Sequence, residues 1–323
     1  MIRDHSAPPA RPLIAVTGAT GFIGRHIVRE LPKRGYRVRV LLRRHTDIAF
    51  DCASAVIGDL ARPLNLSAAL ADVDAVIHSA GVAHAMSGVP EDDYRLFNTE
   101  ATVALARAAE RAGAKRFIFL SSIRAQSGPA SDVVLTEGLA PQPTDAYGRS
   151  KLAAEQGLAT LDIDWAALRP VLVFGPGVRG NFDSLMRIAR SRYPLPLLSL
   201  RARRSLISVG SIVDAIATML AAPGTLRRPY IVADAEPLTI AEMIAALREG
   251  LGRAPALLPV PEPLLRWALK ISGRAEWSER LTGSLVADAS ALAALGWVPR
   301  ASTRGELVAL MRDAAFHPKH AAG

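Results

Sequence analysis

Short apolar runs and longer amphipathic stretches alternate along the first half of the chain. Residues 13–16, 38–42, 55–57, 75–78 and 116–120 are mainly apolar, too short for helices, and read as buried strands. Between them, residues 23–31 are amphipathic. Residues 99–112 form an Ala-rich helical run that stops at Gly113. Strands alternating with helices build βαβ units, and right-handed crossovers make of them a doubly wound parallel sheet. Such a sheet takes ligands at the carboxyl ends of its strands. Residues 166–174 read as one further strand, broken by Gly175-Pro176-Gly177. Proline then becomes frequent, and a second, smaller lobe is expected. The boundaries read as 11–176 for the sheet domain, with 205–235 returning to it through residues 229–233. The C-terminal lobe takes 177–204 and 236–316, and residues 1–10 and 317–323 read as loose tails.

Composition narrows the picture. The chain has 323 residues, half of them hydrophobic but only 5% aromatic, so the core must be built from Ala, Val, Leu and Ile. Cys52 is the one cysteine, which excludes an internal disulfide or a Cys-based zinc site; no metal is expected. No apolar stretch approaches the roughly 20 residues that span a bilayer, and residues 1–12 lack a signal-peptide core, so a cytoplasmic protein without membrane partners is expected. The net charge of +9 suits either nucleic acid or small anionic ligands. The arginines are scattered, with small clusters at Arg43-Arg44 and in residues 201–204, and no basic run is interleaved with aromatics. Anionic small molecules are therefore the expected partners, not nucleic acid.

Four motifs carry chemistry. Thr17-Gly18-Ala19-Thr20-Gly21-Phe22-Ile23-Gly24 lies between a predicted strand and a predicted helix. Gly18 permits the tight turn, Gly21 lets backbone approach a pyrophosphate, and Gly24 lets helix and strand pack. The helix N-terminus offers amides and a positive dipole end to phosphate. After the second strand, where Asp or Glu commonly holds an NAD ribose, the chain has Arg43 and Arg44, whose forked donors suit a 2′-phosphate. NADP(H) is thus preferred, with NAD(H) possible. Asp59-Leu60 follows the third strand, placed for the adenine amino group or for a helix cap. Tyr147 and Lys151, at i and i+4, share a helix face. A lysine beside a phenol favours phenolate and is expected to lower the tyrosine pKa. Ser122, at a strand end, can hold the oxygen that Tyr147 protonates.

The order of these pieces, with His78-Ser79-Ala80-Gly81, Asn98, Arg169-Pro170 and residues 173–177, resembles the extended short-chain dehydrogenase/reductases, the nucleotide-sugar epimerase/dehydratase family. The resemblance runs from Leu13 to about Met311. It implies a Rossmann fold, an enzyme with Tyr147 as acid/base, Lys151 also holding the nicotinamide ribose, and Ser122 orienting the substrate oxygen. Thr20, Phe22, Ile23, Leu60, Ser79, Ala80, Gly81, Asn98, Pro170 and Val171 are expected along the cofactor. The second half resembles the UDP-sugar branch, with Asn181, Leu195, Leu197, Arg204 and Asp288 expected on the substrate. A homodimer is implied, built from the helix at residues 99–112 and the Tyr147 helix through small residues such as Ala104, Ala108 and Ala154.

Family dehydratases carry Asp-Glu directly after the catalytic hydroxyl, whereas Ile123-Arg124 stand here, which argues against dehydration. A UDP-4-keto-6-deoxy-hexose reductase fits the arginine pair. A UDP-glucose or UDP-N-acetylglucosamine 4-epimerase with recycled NAD is the alternative. A non-catalytic NADP(H)-sensing regulator is disfavoured because both Tyr147 and Lys151 are present.

Overall fold

The computed structural model describes residues 11–46, 52–82, 89–271 and 281–316. Eleven strands lie among them: β1 (Leu13–Thr17), β2 (Arg37–Leu42), β3 (Ala53–Val56), β4 (Ala75–His78), β5 (Arg116–Leu120), β6 (Asp164–Pro170), β7 (Leu172–Phe174), β8 (Arg203–Arg204), β9 (Leu206–Ser208), β10 (Arg228–Val232) and β11 (Leu238–Thr239). Seven form one parallel sheet in the order β10-β6-β5-β4-β1-β2-β3. Order reverses beside β1, and that switch point is where a doubly wound sheet opens its ligand crevice. The fold is the expected Rossmann-type doubly wound sheet.

The helices are α1 (Phe22–Glu30), α2 (Leu66–Ala69), α3 (Glu91–Tyr94), α4 (Ala101–Arg111), α5 (Ala146–Ala159), α6 (Asn181–Arg190), α7 (Val209–Ala221), α8 (Ile240–Gly250), α9 (Glu262–Ile271), α10 (Ser290–Ala293) and α11 (Thr303–Phe316). Strand side chains alternate between two cores. Ile14, Val16, Ile118 and Leu168 face the side packed by α1 and α7, whereas Leu13, Ala15, Phe117, Phe119 and Ala167 face α4 and α5. Fully burying rings such as Phe117 and Phe119 is worth about 2–3 kcal/mol each, which fixes the register against a one-residue slip.

Two readings of the sequence are corrected. The single strand expected over 166–174 is two: β6 belongs to the main sheet, while β7 pairs with β9 outside it. The chain changes partner at Val171, whose amide still bonds Val232. The helix expected over 99–112 is regular only in α4; residues Arg95–Glu100 before it form a wider π-helical turn.

A third core gathers Phe174, Phe182, Met186, Met243, Ile244, Leu247, Leu307 and Met311 from α6, α8, α11 and β7. Arg248 of α8 is 1% exposed and donates to the carbonyls of Ala189, Ser191, Tyr193, Pro255 and Ala256. One buried guanidinium thereby ties the end of α6 to two extended segments of the C-terminal region.

Candidate active site

The glycine turn lies between β1 and α1. Gly18 has φ +70°, a left-handed conformation suited to glycine, and a Cβ there would sit 2.6 Å from the Ala80 amide nitrogen. A Cβ on Gly24 would sit 2.0 Å from the Gly18 carbonyl oxygen, so α1 rests directly on the turn. A Cβ on Gly21 would meet just the Gly18 carbonyl oxygen, at 3.1 Å, the oxygen that also accepts from the Gly21 amide at 2.9 Å. Over this turn lies a groove of about 330 Å³ lined by residues 18–20, Arg43, Asp59, Leu60 and residues 80–82. Arg43 and Thr20 are exposed at it, and Arg44 is an exposed neighbour. The Asp59 carboxylate accepts from the Ala61 amide at 2.9 Å, so it also shapes the turn after β3. A glycine turn, a helix N-terminus, an acidic group and a cation beside one groove fit a dinucleotide. Phe22 and Ile23 begin α1; the Phe22 ring packs edge-on to His26, with centroids 5.7 Å apart.

The floor of the groove is a hydrogen-bond chain. Thr102 donates to the Asn98 carbonyl at 2.7 Å and so can only accept from His78 Nε2, 3.0 Å away. Burial, with Lys151 nearby, pushes the His78 pKa down to about 3, so the ring is neutral and its Nδ1 accepts from the Thr17 hydroxyl at 2.7 Å. Thr17 in turn accepts from the Ala80 amide, and Ser79 donates to the Thr17 carbonyl. Asn98 is fully buried on the π-helical turn. It accepts from the Val82 amide at 2.8 Å and donates to the Val82 carbonyl and Ser150 Oγ, both at 3.1 Å. Asn98 therefore fixes the strand-end loop against α5. A Cβ on Gly81 would strike Asn98 Oδ1 at 2.7 Å.

Ser122, Tyr147 and Lys151 are brought together where β5 ends. The Ser122 hydroxyl accepts from the Arg124 amide at 3.2 Å and hydrogen-bonds the Tyr147 phenol. The contact depends on a close approach of the turn Ile123–Ala125 to the start of α5: a Cβ on Gly148 would lie 2.3 Å from the Arg124 carbonyl oxygen. Asp145 locks the same junction, capping α5 through the Gly148 amide at 2.6 Å and binding the Arg124 guanidinium at 2.5 Å.

Lys151 Nζ donates to the Leu120 carbonyl at 2.9 Å, sits 4.5 Å from the Phe119 ring centroid and 5.9 Å from that of Tyr147. Burial pushes its pKa down to about 8, against the opposing charge of Glu155. Tyr147 departs from the lowered pKa expected of it. Burial pushes the phenol up to about 12, opposed by the Ser122 hydrogen bond and by Arg124, and reinforced by Asp145 and Tyr94. At neutral pH the phenol keeps its proton and can donate it.

Beneath this site lies a network that sequence reading missed. Glu155, one turn beyond Lys151, takes the Arg169 guanidinium at 2.5–3.1 Å and the Ser121 hydroxyl at 2.5 Å; Arg169 also donates to Gln126. All four are at least 95% buried. The i+4 spacing of Lys151 and Glu155 was the available signal. Arg169 points into this network, while Pro170 and Val171 follow it at the end of β6.

The proposed substrate residues are spread over the second half. Arg204, on β8, donates to the Pro129 carbonyl at 3.3 Å. Asp288 accepts from the Ser290 amide and hydroxyl, both at 2.9 Å, in a local turn just before α10, whose N-cap is Ala289. Leu195 bonds Ala256 and Leu258 through its amide and carbonyl, and the Leu197 amide bonds Leu195, so these main-chain groups already hold the segment itself. Asn181 opens α6, and its side chain lies outside the described residues.

A profile of the NAD dependent epimerase/dehydratase family matches residues 14–233. A Vibrio cholerae protein named UDP-glucose 4-epimerase is 35% identical over 88% of this chain and 90% of that protein. A ceramide reductase of Caulobacter vibrioides is 31% identical over 80% and 76%. The structure of MoeE5 in complex with UDP-glucose and NAD is 26% identical, with a TM-score of 0.72 over 94% of this chain and 99% of that one.

Proposed function

We propose that this chain, which belongs to the NAD dependent epimerase/dehydratase family, moves a hydride at C4 of a UDP-hexose. The observation that carries the reading is the Ser122–Tyr147 hydrogen bond beside Lys151, whose ammonium lies against Gly81 in the lining of a groove that fits a dinucleotide. The nicotinamide cofactor, when bound, supplies or accepts the hydride. Tyr147, protonated at neutral pH, gives its proton to the C4 oxygen as the carbonyl becomes an alcohol, and takes it back in the reverse direction. Ser122 orients that oxygen. Lys151, titrating near pH 8, is the adjacent group able to hold or restore the proton. Gly21 and the start of α1 would hold the pyrophosphate, Asp59 the adenine, and Arg43 a 2′-phosphate.

Net reduction of a UDP-4-keto sugar is the reading favoured by Arg43, exposed on the groove where a 2′-phosphate gains from its charge. The second reading is 4-epimerisation with recycled NAD, favoured by the likeness to the Vibrio cholerae epimerase. A homodimer through the outer sides of α4 and α5 would use exposed Ala104, while Ala154 is already fully buried within the chain.

Denaturing the purified protein and identifying any released nicotinamide by mass separates the two readings. Stoichiometric NAD supports the epimerase. An empty protein that binds NADPH more tightly than NADH, and loses that preference in Arg43→Ala, supports the reductase. Failure to hold or bind either cofactor overturns both.

A further inference from the structure

Half of the large hydrophobic side chains exposed among the described residues lie in two segments: Tyr193 and Leu198 in one, Leu258, Leu264, Trp267 and Ile271 in the other. The segments are joined. Leu195 bonds Ala256 and Leu258, Leu198 bonds Leu258, and the buried Arg248 guanidinium holds carbonyls on both sides. These bonds fix the base of the patch, from which the chain runs on through Pro261 into α9. Leu264, Trp267 and Ile271, at i, i+3 and i+7 on α9, are 53%, 61% and 66% exposed along one helix face.

Charge says what covers it. The same segments carry exposed Arg192, Arg201, Arg253, Arg266 and Lys270 against one carboxylate, Glu262, which pairs with Arg266. A second copy, docked by a two-fold axis, would set this basic face against itself. An exposed tryptophan among leucine and isoleucine, ringed by cations, has the composition of a helix that lies in the headgroup layer of an anionic bilayer. No described helix is long and apolar enough to cross a membrane, so the contact is peripheral.

We propose that α9 and the adjoining segment around Tyr193 form a docking surface for an anionic phospholipid membrane. The proposal stands apart from the C4 chemistry: the enzyme works on its substrate at the strand ends while α9 rests on lipid.

The test is cosedimentation of the full chain with phosphatidylcholine vesicles, with and without phosphatidylglycerol. Binding is expected to the anionic vesicles, weakening as salt screens the cations. The double variant Leu264→Gln/Ile271→Gln should lose at least tenfold in partitioning, with its circular dichroism and cofactor binding unchanged. A brominated lipid should quench tryptophan fluorescence in the wild type and less in Trp267→Phe, a second readout should the double variant fold poorly. No partition into anionic vesicles overturns the proposal. So does equal partition of wild type and double variant, which would mean charge alone. A double variant that turns a dimer into a monomer, without any lipid binding by the wild type, would assign the face to a second copy instead.

Discussion

Replacing Gly148 with alanine tests how the proposed catalytic groups are assembled. Within a helix, glycine to alanine is ordinarily stabilising, by up to about 1 kcal/mol, and Gly148 stands in the first turn of α5. Here the added Cβ would lie 2.3 Å from the Arg124 carbonyl oxygen and 3.1 Å from the Pro143 side chain, whereas ordinary contacts begin near 3.4 Å. The obstacle is backbone on one side and a proline ring on the other, so neither can swing away. The junction must open by about 1 Å, and a misplacement of that size costs on the order of 100-fold in rate. The displacement falls on the Ser122–Tyr147 hydrogen bond, because Ser122 precedes Arg124 by two residues and Tyr147 adjoins Gly148. Steady-state kinetics should show kcat down by about two orders of magnitude, with cofactor affinity changed little. Gly157→Ala is the control on the same helix. The atoms nearest its Cβ would all belong to the Val103 side chain, the first at 2.4 Å, and activity should stay within about threefold, since that obstacle is remote from Tyr147. A Gly148→Ala enzyme that keeps wild-type kcat would refute the idea that this close approach sets the catalytic spacing.

Three further outcomes are expected. Tyr147→Phe should abolish turnover while NAD(P)H binding, followed by fluorescence, persists; retained turnover would remove Tyr147 as the proton donor. Glu155→Gln should lower stability by about 3–5 kcal/mol by leaving Arg169 buried without its carboxylate, and should move the alkaline fall in activity below pH 8 because Glu155 holds the Lys151 pKa up; an unmoved pH profile would uncouple the two residues. Asp234 is 3% exposed, and burial pushes its carboxyl up from 3.8 to about 7, opposed by hydrogen bonds from Ser208 and Ser211 and reinforced by Glu306. The folded chain therefore keeps this proton where the unfolded chain has lost it, so stability falls as pH rises from about 4 to 7, by at most about 4 kcal/mol, and is flat above. Urea midpoints at pH 5 and pH 8 should show that fall in the wild type but not in Asp234→Asn; identical pH dependence in both would contradict it.

The central sheet was legible because each strand is a short apolar run bounded by polar or glycine-rich sequence, as Ala75–His78 and Arg116–Leu120 show. The join of β6 and β7 was not. Both halves are apolar, and hydrophobicity carries no mark of which strand the backbone pairs with. The candidate catalytic residues were legible as types at a spacing: Tyr147 and Lys151 one turn apart, Ser122 at a strand end. The sign of the tyrosine shift was not, since it depends on how little water reaches the phenol and on the Lys151 ammonium turning to the Leu120 carbonyl. Nor could the Glu155–Arg169–Gln126–Ser121 network be read whole: the i+4 spacing from Lys151 marks Glu155 alone, and the other members come from two further stretches of chain that meet it only after folding.

The chain of hydrogen bonds under the cofactor groove has a direction. Thr102 can donate in one sense only, His78 has no second proton to offer above about pH 3, and Thr17 must therefore point its hydrogen inward. A buried row of dipoles with no choice of orientation behaves like a small permanent electret set into the protein. Its field at the glycine turn stays constant as the buffer is titrated, while Lys151 just above it changes charge near pH 8. The affinity of the groove for the adenosine end of a dinucleotide should then be nearly flat across neutral pH, and the pH response of the enzyme should reside in its turnover.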